Sequence, residues 1–121
     1  MKDSPINTLQ QLMTITMEEC GELTQRCSKI MRKYKNIKDI EEDQRKKLME
    51  EIGDVQCMIK LMIDHNVVTQ DEIADRAEVK REKLKKWSTL VDTDDLLRYT
   101  KGTRMDDSYH YYSHLLQKDN K

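Results

Sequence analysis

Apolar or small residues recur along the chain at Ile6, Leu9, Met13, Thr16 or Met17, Cys20, Leu23, Cys27, Ile30 and Tyr34. Steps of three and four kept up over this length predict one long helix, or two nearly continuous ones, from about Ser4 to about Tyr34. Ser4 is placed to cap it, with Pro5 at the first helical position. The stretch from Asn36 to Asp39 reads as a break. A second helix follows from about Glu41 to His65 on the stripe Leu48, Ile52, Val55, Ile59 and Met62, widened by Met58, Leu61 and Ile63. His65-Asn66 ends it. Thr69, with Glu72 three residues on, has the form of a capping box for a third helix, marked by Ile73, Ala77, Leu84 and Trp87. Beyond Ser88 the pattern thins. Residues 92–99 read as a short helix, Lys101-Gly102-Thr103 as a turn, and residues 106–117 as a terminal helix with Tyr109, Tyr112 and Leu116 on its apolar face. No strand of useful length emerges. The predicted class is all-α, a helical bundle of three to five helices.

Composition changes this picture in one respect. The chain has 121 residues, enough for one domain, here read as a core over 1–90 and a C-terminal helical tail over 91–121 that serves as interface or site cover. Only 36% of the residues are hydrophobic and 37% are charged, so a lone copy has a thin core. Joining the stripes of two subunits would complete a four-helix-bundle core, so a homodimer, or a homotetramer as a dimer of dimers, is expected.

Charge excludes other classes. There are 22 basic and 23 acidic residues, so no global field favours nucleic acid or an anionic membrane. The basic run Lys80, Arg81, Lys83, Lys85 and Lys86 is interrupted by Glu82, preceded by Glu78, and accompanied by no nucleic-acid-binding motif. The opening MKDSPINTLQ has no apolar signal region, and no apolar run approaches the ~20 residues of a membrane span. The expectation is a cytoplasmic protein, in the host cytoplasm if virus-encoded. Cys20, Cys27 and Cys57 form no C-x-x-C pair, and Cys20 and Cys27 stand too far apart on one helix to bond. They read as reduced core thiols.

The candidate chemistry lies in a repetition. Glu18-Glu19-Cys20-Gly21-Glu22-Leu23 and Glu50-Glu51-Ile52-Gly53-Asp54-Val55 both run acid, acid, apolar, Gly, acid, apolar. At about 100° per residue, Glu19 and Glu22 share one helical face, as do Glu51 and Asp54. The interval between the hexads is long enough for one helix to end, turn and return antiparallel, so the two pairs can face each other. Four carboxylates gathered there cannot all stay ionised unaided: some keep their protons, or a multivalent cation is held. Histidine-free carboxylate ligation suits Mg²⁺, or Mn²⁺ in its place, over zinc. Gly21 and Gly53, mid-helix, each carry a helix-propensity cost of about 1 kcal/mol relative to Ala. Close approach of a backbone or ligand beside each acidic pair would account for them.

The pattern E-E-x-x-E, an interval, then E-E-x-x-D resembles the signature of the MazG-like all-α nucleoside triphosphate pyrophosphohydrolases. It is carried here by Glu18, Glu19 and Glu22, then Glu50, Glu51 and Asp54. Ser28-Lys29-Ile30-Met31-Arg32 is similar to a Ser-Lys-x-x-Arg found in small, often phage- or bacterially encoded members. The likeness runs from about Leu12 to Ile63, is faint over the third helix and does not reach residues 90–121. It implies Mg²⁺-dependent hydrolysis of an NTP or dNTP between the α and β phosphates, giving a nucleoside monophosphate and pyrophosphate, as a housecleaning activity on the nucleotide pool. Glu19, Glu22, Glu51 and Asp54 would hold metal, and Glu18 or Glu50 would orient the attacking water as general base. Lys29 and Arg32, with Lys83 and Lys86 on the third helix, would bind phosphate. Asn7, Gln10, Gln11 and Trp87 are the residues available for the base.

Three other readings compete, one of them the nucleic-acid binder that the interrupted basic run disfavours. The first is a non-catalytic helical interaction protein whose acids are a surface face. A ferritin-like di-metal protein requires Glu-x-x-His pairs, which His65, His110 and His114 do not form. Lys101-Gly102-Thr103 lacks the preceding glycine of a phosphate-binding P-loop.

Overall fold

The computed structural model describes residues 6–91. The chain divides into two units, Met1–Val67 and Val68–Lys121. In order along the chain come helix α1 (Thr8–Lys33), a short 3₁₀ turn (Ile37–Asp39), helix α2 (Glu42–Asp64) and helix α3 (Gln70–Trp87). No strand occurs among the described residues, and the class is all-α.

Within the first unit α1 and α2 pack together as an antiparallel hairpin. The start of α1 differs from expectation: Asn7, not Ser4, is its N-cap. Asn7 Oδ1 accepts from the Gln10 backbone N–H at 2.8 Å, and Gln10 Oε1 accepts from the Asn7 N–H at 2.9 Å, a capping box that satisfies two otherwise orphaned donors. At the other end the connection to α2 is tied by charge. The Tyr34 hydroxyl donates to Glu41 at 2.6 Å and Lys33 Nζ lies 2.8 Å from the same carboxylate, whose pKa these two hydrogen bonds hold below the ordinary range. α2 ends as His65-Asn66 indicates. Asn66 takes a left-handed φ of 61° and donates to the Ile63 carbonyl, while the Val67 N–H reaches the Met62 carbonyl. That pair of bonds closes the last turn as a Schellman motif, with asparagine in the position glycine usually fills.

The helix seam takes in part of the predicted stripes, at Thr16, Leu23 and Ile30 on α1 and at Leu48, Val55, Met58 and Met62 on α2, and leaves the rest of them outside. Among the more covered residues one line on α1 is Leu12, Thr16, Glu19, Leu23, Arg26 and Ile30, and one on α2 is Gln44, Leu48, Glu51, Val55, Met58 and Met62, with Gln11, Met13, Thr14, Ile15, Ser28, Leu61 and Ile63 partly covered beside them. Both lists step by four and three, the seven-residue repeat of helices that interdigitate side by side. Leu12 and Met58, each 6% exposed, are the buried apolar residues of this unit. Several expected core residues are therefore not core. Leu9, Met17, Ile52 and Ile59 are exposed, as are all three cysteines, which are free thiols.

The exposed apolar residues are not scattered. Positions one after the seam on α1 are Met13, Met17, Cys20, Thr24, Cys27 and Met31; on α2 they are Arg45, Met49, Ile52, Gln56, Ile59 and Ile63. A one-residue step turns about 100° around each axis, and in an antiparallel pair the two turns lead to the same side of the hairpin. Met17 (67% exposed), Met31 (74%), Met49, Ile52 and Ile59 thus form one uncovered apolar side. Positions one before the seam make the opposite side, which carries Glu18, Glu22, Lys29, Glu50 and Asp54.

In the second unit, α3 begins on the predicted capping box. Thr69 Oγ1 accepts from the Glu72 N–H at 3.1 Å, and Glu72 Oε1 accepts from the Thr69 N–H at 2.9 Å. Ser88 caps the far end, its hydroxyl donating to the Leu84 carbonyl. Ala74 and Val91 are buried, Ala77 is exposed, and Trp87, expected in a core or stacked on a base, is 83% exposed. The tail elements expected over residues 92–121, with their tyrosines and histidines, lie outside the described residues.

Candidate metal centre

α1 and α2 bring the two acidic pairs together. Glu19, Glu22, Glu51 and Asp54 each present a carboxylate oxygen within 4.8 Å of the others. Glu19 and Glu51 stand in the seam and are half-buried; Glu22 and Asp54, one turn further along, are exposed and open the cluster to solvent. A single residue type thus occupies two settings. The inner carboxylates are held by helix packing, the outer ones by the same helices at the rim.

The electrostatics reflect that crowding. Burial pushes the Glu19 carboxyl above the ordinary range, and the charges of Glu22, Asp54 and Glu51 push it further. Burial also raises Glu51, reinforced by Glu22 and Asp54 and partly offset by the Arg26 guanidinium. Asp54 serves as hydrogen-bond mate to Glu19, and Glu22 to Glu51, once one carboxyl of each pair carries a proton. Glu19 Oε2 is buried with no donor in reach. A buried oxygen without a donor calls for a proton or a cation.

The donor set fits a hard divalent ion. It offers carboxylate oxygens alone, from four groups, with two held rigidly in a helix seam, the ligand chemistry of Mg²⁺ or Mn²⁺.

The remaining candidates divide. Glu18 and Glu50 lie exposed on the carboxylate side, one turn before Glu22 and Asp54. Lys29 is exposed two turns beyond Glu22 on that side, and Arg32 follows it, its Nε donating to the Ser28 carbonyl at 3.3 Å. Lys83 and Lys86 belong to α3, where they line an open groove with Glu78, Val79 and Glu82. Asn7 and Gln10 are committed to capping α1, and the Gln11 side chain donates to the Ile6 carbonyl, so none is a free base-reading group. Neither glycine is explained by close packing: a Cβ at Gly21 or Gly53 would meet nothing within 4 Å.

Arg26 is the residue that hydrophobic patterning passes over. It sits in the seam, seven residues after Glu19 and four after Glu22, and its Nη1 donates to Gln44 Oε1 at 3.0 Å. Spacing alone marks it, since i+4 and i+7 keep a side chain on one face. No family model, no curated protein and no solved structure matches the chain.

Proposed function

We propose that the chain is a Mg²⁺-dependent nucleoside triphosphate pyrophosphohydrolase of the MazG-like kind, cleaving an NTP or dNTP to a monophosphate and pyrophosphate. The observation that supports this best is the convergence of Glu19, Glu22, Glu51 and Asp54 within 4.8 Å across a helix seam. Two matched hexads on separate helices have no packing reason to meet acid to acid. Meeting so is unfavourable unless some carboxyls keep their protons or a cation is held there.

These four residues would hold the ion, Mn²⁺ serving in its place. When bound, it supplies neutralisation of phosphoryl charge and a lowered pKa for the attacking water. The chain's own contribution is placement. Glu19 and Glu51 fix two ligand positions through the seam, and Glu22 and Asp54 leave the solvent side open to a triphosphate. Glu18 and Glu50, on that same open side, are the carboxylates left over to take a proton from water. Lys29 and Arg32 extend the side with positive charge for the phosphate chain.

The uncovered apolar side is proposed to take a second copy of the chain. It is two helices wide, uncharged except for Arg45 at one end, and opposite the carboxylates. Such a surface is self-complementary about a two-fold axis, and pairing it would complete a four-helix core while leaving both acidic sides open. A homodimer, or a tetramer built from it, in the cytoplasm is the expected form.

The test is product identification. Incubated with a panel of NTPs and dNTPs and Mg²⁺, the protein is expected to release monophosphate and pyrophosphate. Release of orthophosphate, or no turnover with any nucleotide, would overturn the reading and favour an interaction protein with an acidic face.

A further inference from the structure

Leu12, Glu19 and Arg26 stand seven residues apart on α1, and Gln44, Glu51 and Met58 seven apart on α2. The antiparallel register fixed by the Arg26–Gln44 bond and the Glu19–Glu51 approach stacks these into three levels: apolar, acidic, then arginine with amide. Levels seven residues apart are about 10.5 Å apart along the axis. Arg26 stands four residues after Glu22 and seven after Glu19, spacings that keep it on their face of α1. Its Nη1 is engaged by Gln44, but its Nε is buried with no acceptor. The Gln44 amide oxygen is one acceptor for the guanidinium's five N–H donors, and the neighbouring seam residues Leu23 and Leu48 add none.

We propose that Arg26 is a phosphate-positioning residue of the acidic centre, held in the seam by Gln44 so that its guanidinium, whose Nε has no acceptor, receives an oxygen of the triphosphate chain. The proposal rests on the metal-dependent reading above and adds to it a residue inside the hairpin. Without ligands, Arg26 is the cation that partly offsets the carboxylates. With a divalent ion in place the two cations repel, and an anion bridging them relieves both. Arg26 therefore opposes metal binding by itself and favours metal and phosphate binding together.

That opposition of signs is the test. Mn²⁺ binding by the full-length chain is measured by titration calorimetry, alone and with inorganic tripolyphosphate, which carries the phosphate chain without a base. Arg26→Met fills the seam with an apolar chain of similar length, a replacement that ordinarily leaves packing intact. It is expected to tighten Mn²⁺ alone by several-fold and to weaken tripolyphosphate in the presence of Mn²⁺ by about tenfold or more. Arg26→Lys is expected to restore the weaker Mn²⁺ binding but only part of the tripolyphosphate affinity, since an ammonium lacks the planar fork. Gln44→Leu, which frees the guanidinium from its tether, is expected to weaken tripolyphosphate less than Arg26→Met does. If Arg26→Met leaves both affinities within twofold of wild type, or shifts both in the same direction, Arg26 is a seam residue only. If wild type binds no Mn²⁺ under any of these conditions, the metal reading itself falls.

Discussion

One long side of the α1–α2 hairpin carries Glu18, Glu22, Lys29, Glu50 and Asp54; the other carries Met17, Cys20, Cys27, Met31, Met49, Ile52 and Ile59. The two sides come from the same heptads, one residue before the seam and one residue after it. Each has a need that the hairpin does not meet. The charged side borders four carboxylates within 4.8 Å that Arg26 offsets only in part, and the apolar side is exposed among the described residues. Those needs respond to different agents, a divalent cation and a second apolar face, so the sides can be broken separately.

The largest effect is expected on the charged side. Glu22→Ala or Asp54→Ala should lower monophosphate release by at least about 100-fold, the upper loss seen when only the supporting partners of a metal site are removed. Both side chains are exposed, so the fold should survive, and removing one like charge should leave the metal-free melting temperature unchanged or higher. Product release with Mg²⁺, beside melting in EDTA, checks both halves. Full activity in Glu22→Ala would remove the carboxylate cluster from the mechanism.

A comparable break on the apolar side should change assembly first. Met17→Lys with Ile52→Lys places two charges on the proposed contact, and burying them unpaired opposes association. Sedimentation velocity at micromolar protein is expected to show wild type at twice the 14.5 kDa chain mass or more, and the double variant at one chain. A wild type that is already monomeric, and active, would leave the apolar side without its proposed occupant.

The comparison sharpens with pH. The Glu19 and Glu51 carboxyls are raised, chiefly by burial and then by their acidic neighbours, so the folded chain binds more protons than the unfolded one above the ordinary glutamate range. Their stabilising contribution is whole below pH about 4.3 and is lost as pH rises through the raised folded values. Melting of the metal-free protein should fall between mildly acidic and neutral pH. Millimolar Mg²⁺ should recover a few degrees at neutral pH and little in acid, because ligands must be deprotonated to bind. A melting temperature independent of both pH and Mg²⁺ across that range would show that the cluster is not electrostatically strained.

Much of this arrangement is legible in the residues, and the failures have one source. Helix α3, the break at Asn36–Asp39 and the end of α2 follow from local chemistry: Thr69 with Glu72, and the αL-tolerant Asn66. The acidic convergence follows from two matched hexads whose spacing lets them face each other across a hairpin. The seam does not follow from hydrophobicity, because Met13, Met17 and Cys20 are as apolar as Leu12, Thr16 and Leu23. The true contact line includes Glu19, Arg26, Gln44 and Glu51. Apolar spacing therefore finds Leu23, Ile30, Leu48, Val55 and Met62 in the seam but adds the exposed Met17, Cys20, Ile52 and Ile59 to them. Asn7 with Gln10 had the spacing of a capping box, yet Ser4-Pro5 made an equally good start by local rules. Nothing local announces that Trp87 is exposed.

The smallest effect concerns a third surface of the hairpin. Gly21 and Gly53 point about 200° away from Glu19 and Glu51, and a Cβ at either would meet nothing within 4 Å. Alanine there adds a methyl to open space and removes the backbone freedom that makes mid-helix glycine unfavourable by about 1 kcal/mol. Gly21→Ala and Gly53→Ala should each raise stability by up to about 1 kcal/mol, a few degrees in Tm for a chain of this size, with turnover and assembly unchanged. Denaturant midpoints resolve such a shift. The informative failure is a variant more stable as a chain but impaired in turnover or association. A nucleotide or partner would then approach the glycines, and the hairpin would have three working surfaces.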